Sequence, residues 1–188
     1  MHDNTTRHLT LITGAARSGK SELAETLAAG SDGQVYYLAT MQRWEEDREG
    51  VSRIERHRQR RPGSWVTVEV GRELDVCVRG LPAGPGFVLI DCLSVYVSNL
   101  LLDGFQEGDD PYTRADLISQ AIERLLAAID ERRDLEFVAV TNEVGWGVVP
   151  STPLGRAYRD LLGLANQAFA HRAHTVWLMC SGLKLRLR

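Results

Sequence analysis

Leu9-Thr10-Leu11-Ile12-Thr13-Gly14-Ala15-Ala16-Arg17-Ser18-Gly19-Lys20-Ser21-Glu22-Leu23-Ala24 decides how this chain is read. Its middle matches G-x-x-x-x-G-K-[ST] at every fixed position, from Gly14 to Ser21. The apolar run Leu9 to Ile12 predicts a buried strand leading in. Ser21 to Ala28 predicts a helix leading out. That context is the one a phosphate-binding loop requires, because backbone N–H groups and the helix N-terminus together attract a phosphate chain. Gly14 and Gly19 would permit tight turns and close approach of phosphates. Lys20 would reach the β- and γ-phosphates, and Ser21 would hold Mg²⁺. A chance match in a Gly-rich turn is the competing explanation, and the flanking strand and helix weigh against it.

Working outward, strands and helices alternate. Apolar strands are expected at Val35–Ala39, Trp65–Val70, Phe87–Asp91, Phe137–Thr141 and Thr175–Met179, the last being the final strand. A helix is expected from near Thr113, with Leu117, Ile118, Ile122, Leu125, Leu126 and Ile129 at helical spacing. Another runs from about Pro153 to Ala173, presenting Leu154, Tyr158, Leu161, Leu162, Ala165 and Phe169. Buried strands joined by helices imply an α/β fold with a mostly parallel central sheet flanked by helices, whose ligands bind at the carboxyl ends of the strands. Residues 1–8 read as a disordered tail, and 9–188 as a single domain, a size that 188 residues support.

Bulk composition narrows the function. The formal net charge of −3 gives no global field toward nucleic acid or a membrane surface. Lys20 and Lys184 are the only lysines, so Lys20 is not one of a crowd of surface cations. The cysteines Cys77, Cys92 and Cys180 are odd in number and lack CxxC spacing, which fits reduced thiols in the cytoplasm and no zinc site. Neither a signal peptide nor a membrane-length apolar run is evident.

Three further segments carry chemistry. Asp91 ends an apolar strand, where a carboxylate either coordinates Mg²⁺ or caps a helix opening at Leu93-Ser94-Val95. Arg53 to Pro62 holds five arginines and His57. It reads as a solvated helix face, as a nucleic-acid patch, or as a triphosphate-handling segment in which arginines grip phosphate oxygens and His57 acts as nucleophile or general acid. Asn142-Glu143-Val144-Gly145-Trp146-Gly147-Val148-Val149-Pro150 follows a strand and so lies at the carboxyl edge beside the phosphate loop. Its two glycines around a Trp suggest either a structural turn or close backbone approach to a partner.

Taken together, Thr13 to Ser21, Tyr37-Leu38-Ala39-Thr40, Arg53-Ile54 with His57, Arg61-Pro62, Trp65, Val68-Glu69, Val97 to Leu101, Thr141 to Pro150, Arg159-Asp160, Asn166 and Ser181-Gly182 resemble, in order, the bifunctional adenosylcobinamide kinase/adenosylcobinamide-phosphate guanylyltransferase family. The Thr-Asn-Glu-Val-Gly-x-Gly-x-Val-Pro run and the Arg-Ile-x-x-His segment carry most of its specificity. The resemblance implies a P-loop NTPase with a RecA-like sheet and a homotrimeric assembly. It also implies two reactions: phosphorylation of adenosylcobinamide by a nucleoside triphosphate, ATP or GTP, then transfer of GMP from GTP to that phosphate. By resemblance His57 carries GMP covalently, with Lys20 as the other catalytic residue. Nucleotide contacts fall on Gly14, Ala15, Ala16, Arg17, Ser18, Gly19, Lys20, Ser21, Thr40, Met41, Gln42, Arg58, Gln59, Arg60, Arg61, Glu69 and Asp91, and Mg²⁺ on Ser21 and Asp91. Arginines beside His57 would keep its imidazole neutral by like-charge repulsion. Ala15 stands where relatives commonly carry a second Gly, which works if its φ stays negative. Asp91 and Glu143 are candidate bases for the kinase step. A monofunctional P-loop small-molecule kinase is the alternative, and a DNA-linked module a third reading.

Overall fold

The computed structural model describes residues 8–41 and 61–188. The strands are β1 (Leu9–Gly14), β2 (Gln34–Ala39), β3 (Val66–Glu69), β4 (Gly86–Asp91), β5 (Leu135–Val140), β6 (Thr175–Cys180) and β7 (Leu183–Arg186). The helices are α1 (Lys20–Ala29), α2 (Leu74–Gly80), α3 (Leu93–Leu102), α4 (Ala115–Glu131) and α5 (Pro153–Arg172), with a 3-10 turn at Pro111–Arg114. One sheet holds all seven strands in the order β3-β2-β4-β5-β1-β6-β7. Its pairs are parallel except β6 with β7. The expected α/β architecture with a mostly parallel sheet is therefore the observed one.

Period-two alternation divides the strands between two cores. Leu9, Leu11, Tyr36, Leu38, Val88, Ile90, Leu135, Phe137 and Ala139 face one side, with buried residues of α2, α3, α4 and α5. Ile12, Val35, Tyr37, Phe87, Leu89, Val138 and Val140 face the other, against Ala24 and Ala28 of α1. In α4, Ile118, Ile122, Leu125 and Ile129 form the buried stripe, as helical spacing predicts. Leu117 does not join it: it is 41% exposed, one residue off the stripe.

Four readings change. His8, placed with the tail, is buried, with its ring nitrogens 2.9 Å from the Leu135 carbonyl oxygen and 2.5 Å from that of Ile129. Thr175–Met179 is not the final strand, since β7 returns antiparallel through Ser181-Gly182, both at positive φ as a two-residue hairpin turn requires. The helix α2 was not anticipated. Asp91 is not a helix cap, because Cys92 occupies that position of α3 and no side chain caps the helix.

Candidate active site

The phosphate loop is built as the motif predicts, and its glycines are obligatory for stated reasons. Gly14 has φ 150°, and a Cβ there would lie 2.3 Å from the Met179 carbonyl oxygen. Gly19 sits in the left-handed region, at φ 95° and ψ 9°, immediately before α1. Ala15 is not among the residues at positive φ, so its side chain is tolerated as expected, while Arg17 adopts φ 58°. Ala15, Ala16 and Arg17 form the exposed crown. Beneath them Lys20 is buried, and its Nζ donates to the Ala15 carbonyl at 2.6 Å. The hydroxyls of Thr13 and Ser18 are buried without a hydrogen-bond partner among the described residues. Buried polar atoms are normally satisfied, so the loop carries capacity for a further polar group. The β6–β7 turn closes on it, with Gly182 N–H donating to the Ser18 carbonyl at 3.1 Å.

Asp91 ends β4 with β5 interposed between β4 and the loop-bearing β1. Tyr37 shares its sheet face, and the Tyr37 hydroxyl donates to Asp91 Oδ2 at 2.5 Å. Burial first, and the Asp91 charge second, push the Tyr37 phenol far above its ordinary value, so it remains a donor at any working pH. The Arg61 guanidinium lies over the Tyr37 ring, 3.3 Å from its centroid. Next to Asp91, burial and the Asp91 charge raise the Cys92 thiol above its usual range, partly opposed by its hydrogen bond with Ser94 and by Lys20.

Thr40, one of the implied nucleotide contacts, also has a structural task. It is fully buried, its hydroxyl donates to the Cys92 carbonyl at 2.9 Å, and it accepts from Cys92 N–H at 2.8 Å. Its own carbonyl accepts from Asn99 Nδ2 at 2.9 Å. Thr40 thus locks the ends of β2 and β4 together and positions Asp91.

The segment after β5 is tied to the loop. Thr141 N–H donates to the Ile12 carbonyl and Glu143 N–H to that of Gly14, both at 3.0 Å. Asn166, buried on α5, accepts from the Thr141 hydroxyl at 2.6 Å and donates to the Asn142 carbonyl at 3.1 Å. Asn142 Nδ2 donates to Ser94 Oγ at 3.0 Å. These bonds hold the segment beside the loop, where the sequence placed it.

Residues 10–187 match the family model described as CobU: cobinamide kinase / cobinamide phosphate guanyltransferase. This chain belongs to that family. Over 182 residues, covering 95% of this chain and 98% of the relative, it is 41% identical to the bifunctional adenosylcobalamin biosynthesis protein CobU of Escherichia coli K12. It is 38% identical to the protein of the same name in Salmonella typhimurium LT2, and 40% identical to the CobP protein of Pseudomonas aeruginosa PAO1. A solved Pyrococcus horikoshii OT3 protein shares the fold at TM-score 0.55 and 8% identity, over 95% of this chain and 84% of that one.

Within the family framework, the implied site residues fall into groups. Gly14 to Ser21 are assembled as one loop, with Asp91 at a strand end two positions along the sheet. Met41, Arg61 and Glu69 lie toward β2 and β3, at the far side of β4. His57, Gln42, Arg58, Gln59 and Arg60 lie outside the described residues. Sequence reasoning assigned no role to Tyr37 or Ser94, whose partners are 54 and 48 residues away. It matched Asn166 to the family without finding its work.

Proposed function

We propose that this chain phosphorylates adenosylcobinamide with a nucleoside triphosphate and then transfers GMP from GTP to the product, forming adenosylcobinamide-GDP and pyrophosphate. The observation that carries the reading is the assembled phosphate loop, with Lys20 buried beneath it, in a chain that matches the family over residues 10–187. In the kinase step the acceptor hydroxyl attacks the γ-phosphorus of a triphosphate held by the loop amides and Lys20. The bond from that phosphorus to the β-bridging oxygen breaks, the nucleoside diphosphate leaves, and the hydroxyl proton passes to a carboxylate, for which Asp91 and Glu143 are the candidates by position.

In the transfer step the neutral imidazole of His57 attacks the α-phosphorus of GTP. The α–β phosphoanhydride bond breaks and pyrophosphate departs, its charge met by Lys20 and the backbone N–H groups. A phosphate oxygen of the phosphorylated corrinoid then attacks the same phosphorus, breaking the P–N bond and restoring the imidazole. Two substitutions replace one, so the stronger nucleophile meets GTP first.

Ser21, in the first turn of α1, and Asp91 supply the hard oxygen donors that suit Mg²⁺. Among the described residues no three His, Cys, Asp or Glu form a metal cluster, which fits an ion completed by phosphate oxygens and water. Mg²⁺ there would neutralise charge on the leaving phosphates. A homotrimer in the cytoplasm completes the reading. No described helix is long and apolar enough to cross a membrane.

His57→Asn tests the covalent step. The variant should retain cobinamide phosphorylation while losing both GMP attachment to protein and formation of the GDP adduct. Continued labelling of the variant by GTP carrying a labelled α-phosphate would remove His57 from the role.

A further inference from the structure

The segment between β5 and α5 is held firmly at its ends and bare in its middle. Thr141, Asn142 and Glu143 are fixed to Asn166, Ser94 and Gly14 as described above. At the other end the Arg156 guanidinium donates to the carbonyls of Pro150 at 3.0 Å and Ser151 at 2.8 Å. Between these anchors Trp146 is 78% exposed, Val148 96% and Val149 61%. Three large apolar side chains on a tied-down segment gain nothing from the core of their own chain.

The two glycines sharpen the point. A Cβ on Gly147 would meet nothing within 4 Å, and one on Gly145 would meet only Glu143 Oε1 at 3.4 Å. Neither is among the residues at positive φ. The described chain therefore sets no conformational or steric demand for a bare backbone on either side of Trp146. Bare backbone flanking an exposed indole suits a broad, flat body approaching from outside.

We infer that Trp146, Val148 and Val149 form the platform for the corrin macrocycle of the acceptor. The inference rests on the proposed function and deepens it. Both reactions require the acceptor's reactive end at the phosphate loop, and this segment is bonded to that loop through Glu143 and Gly14. A triphosphate needs cations and several converging N–H donors, whereas these three side chains offer no cation and a single indole N–H. The corrin ring is the reactant with an extended, methyl-fringed plane, and an exposed indole with adjacent valines offers it a matching surface. The ring would rest on Trp146 while the flexible arm bearing the hydroxyl, or later the phosphate, reaches across to the loop.

The test compares the unmutated protein with Trp146→Ala, Trp146→Phe and Val148→Ser. Cobinamide binding is followed by equilibrium dialysis and corrin absorbance, kinase KM is measured for each substrate, and assembly mass by light scattering. Trp146→Ala should weaken cobinamide binding and raise its KM by about tenfold or more, the scale of an aromatic anchor. KM for the nucleotide and the assembly mass should not change, Trp146→Phe should recover most of the loss, and Val148→Ser should lose less than Trp146→Ala. An unchanged cobinamide KM, an equal rise for the nucleotide, or a fall in mass showing that a second copy covers this face would each overturn the platform. An unmutated protein that neither binds nor phosphorylates cobinamide would overturn the proposed function and the platform with it. Normal unmutated activity beside an unaffected Trp146→Ala would reject the platform alone.

Discussion

Tyr37 holds Asp91 by a hydrogen bond that crosses from β2 to β4, and Arg61 covers the ring that makes it. A hydrogen bond to a charged acceptor contributes about 1.5–3 kcal/mol, more than a neutral one, and here it also fixes which way the carboxylate points. Tyr37→Phe keeps the ring, its packing and the Arg61 contact, and removes only the donor. We expect it to lower unfolding free energy by about 1–2 kcal/mol and to slow both reactions several-fold, read by chemical denaturation and steady-state rates. An unchanged turnover would show that Asp91 needs no positioning from β2. The sequence identified Tyr37 as a buried strand residue and Asp91 as a strand-terminal carboxylate. It could not show that they meet, because that contact depends on β2 lying beside β4, a consequence of strand order and not of local pattern. The bonding of Thr40 to Cys92 is tertiary in the same way, so no local pattern states it.

At the scale of elements, the corner where α2 leads to β4 is tied to the corner where α4 leads to β5. Arg132 donates to the carbonyls of Val78, Leu81 and Pro82, at 3.0, 2.9 and 2.8 Å, and pairs with Asp134 at 2.8 Å. Asp134 also accepts from Gly84 N–H at 2.9 Å. Arg132→Ala should cost about 1–3 kcal/mol, since it removes the side-chain donor of the Leu81 and Pro82 carbonyls and the partner of Asp134, while KM values stay unchanged because the corner is at the amino end of β4 and β5. The hydrogen bond from Arg132, and then that from Gly84, hold the Asp134 carboxyl well below the usual carboxylate range. A folded-state pKa depressed in this way stabilises the protein above the unfolded value of about 3.9 and loses that contribution as pH falls below it. Asp134→Asn should therefore be less stable than the unmutated protein at pH 7, with the gap beginning to close below the unfolded value and vanishing only as pH falls through the depressed folded one. Solvent exposure keeps the difference to about 1 kcal/mol. A gap that widens on acidification would contradict the assignment. Long periodic elements such as α4 and α5 were legible. The seven-residue α2 was too short to show a period, and β7 was passed over although Leu183, Leu185 and the Ser181-Gly182 turn carried a hairpin signal.

For the whole molecule, strand order sets the distances over which the chemistry must work. β3 lies four strands from β1, which at the usual spacing of about 4.8 Å is roughly 19 Å. Gly14 to Ser21 and Glu69 thus stand at opposite ends of a nucleotide-length span, with Asp91 between. The motif was legible because a phosphate loop is local chemistry, complete within eight residues. Where the other implied contacts lie relative to the loop is set by the sheet, and no local pattern states it. The central claim is that this one loop serves both phosphoryl and guanylyl transfer. The most direct measurement supplies cobinamide, ATP, Mg²⁺ and GTP labelled at its α-phosphate to the unmutated protein and to Lys20→Ala, and follows cobinamide phosphate, pyrophosphate and labelled cobinamide-GDP together. The account predicts all three products from the unmutated protein and loss of all three in the variant. Normal formation of any one of them by Lys20→Ala would contradict it.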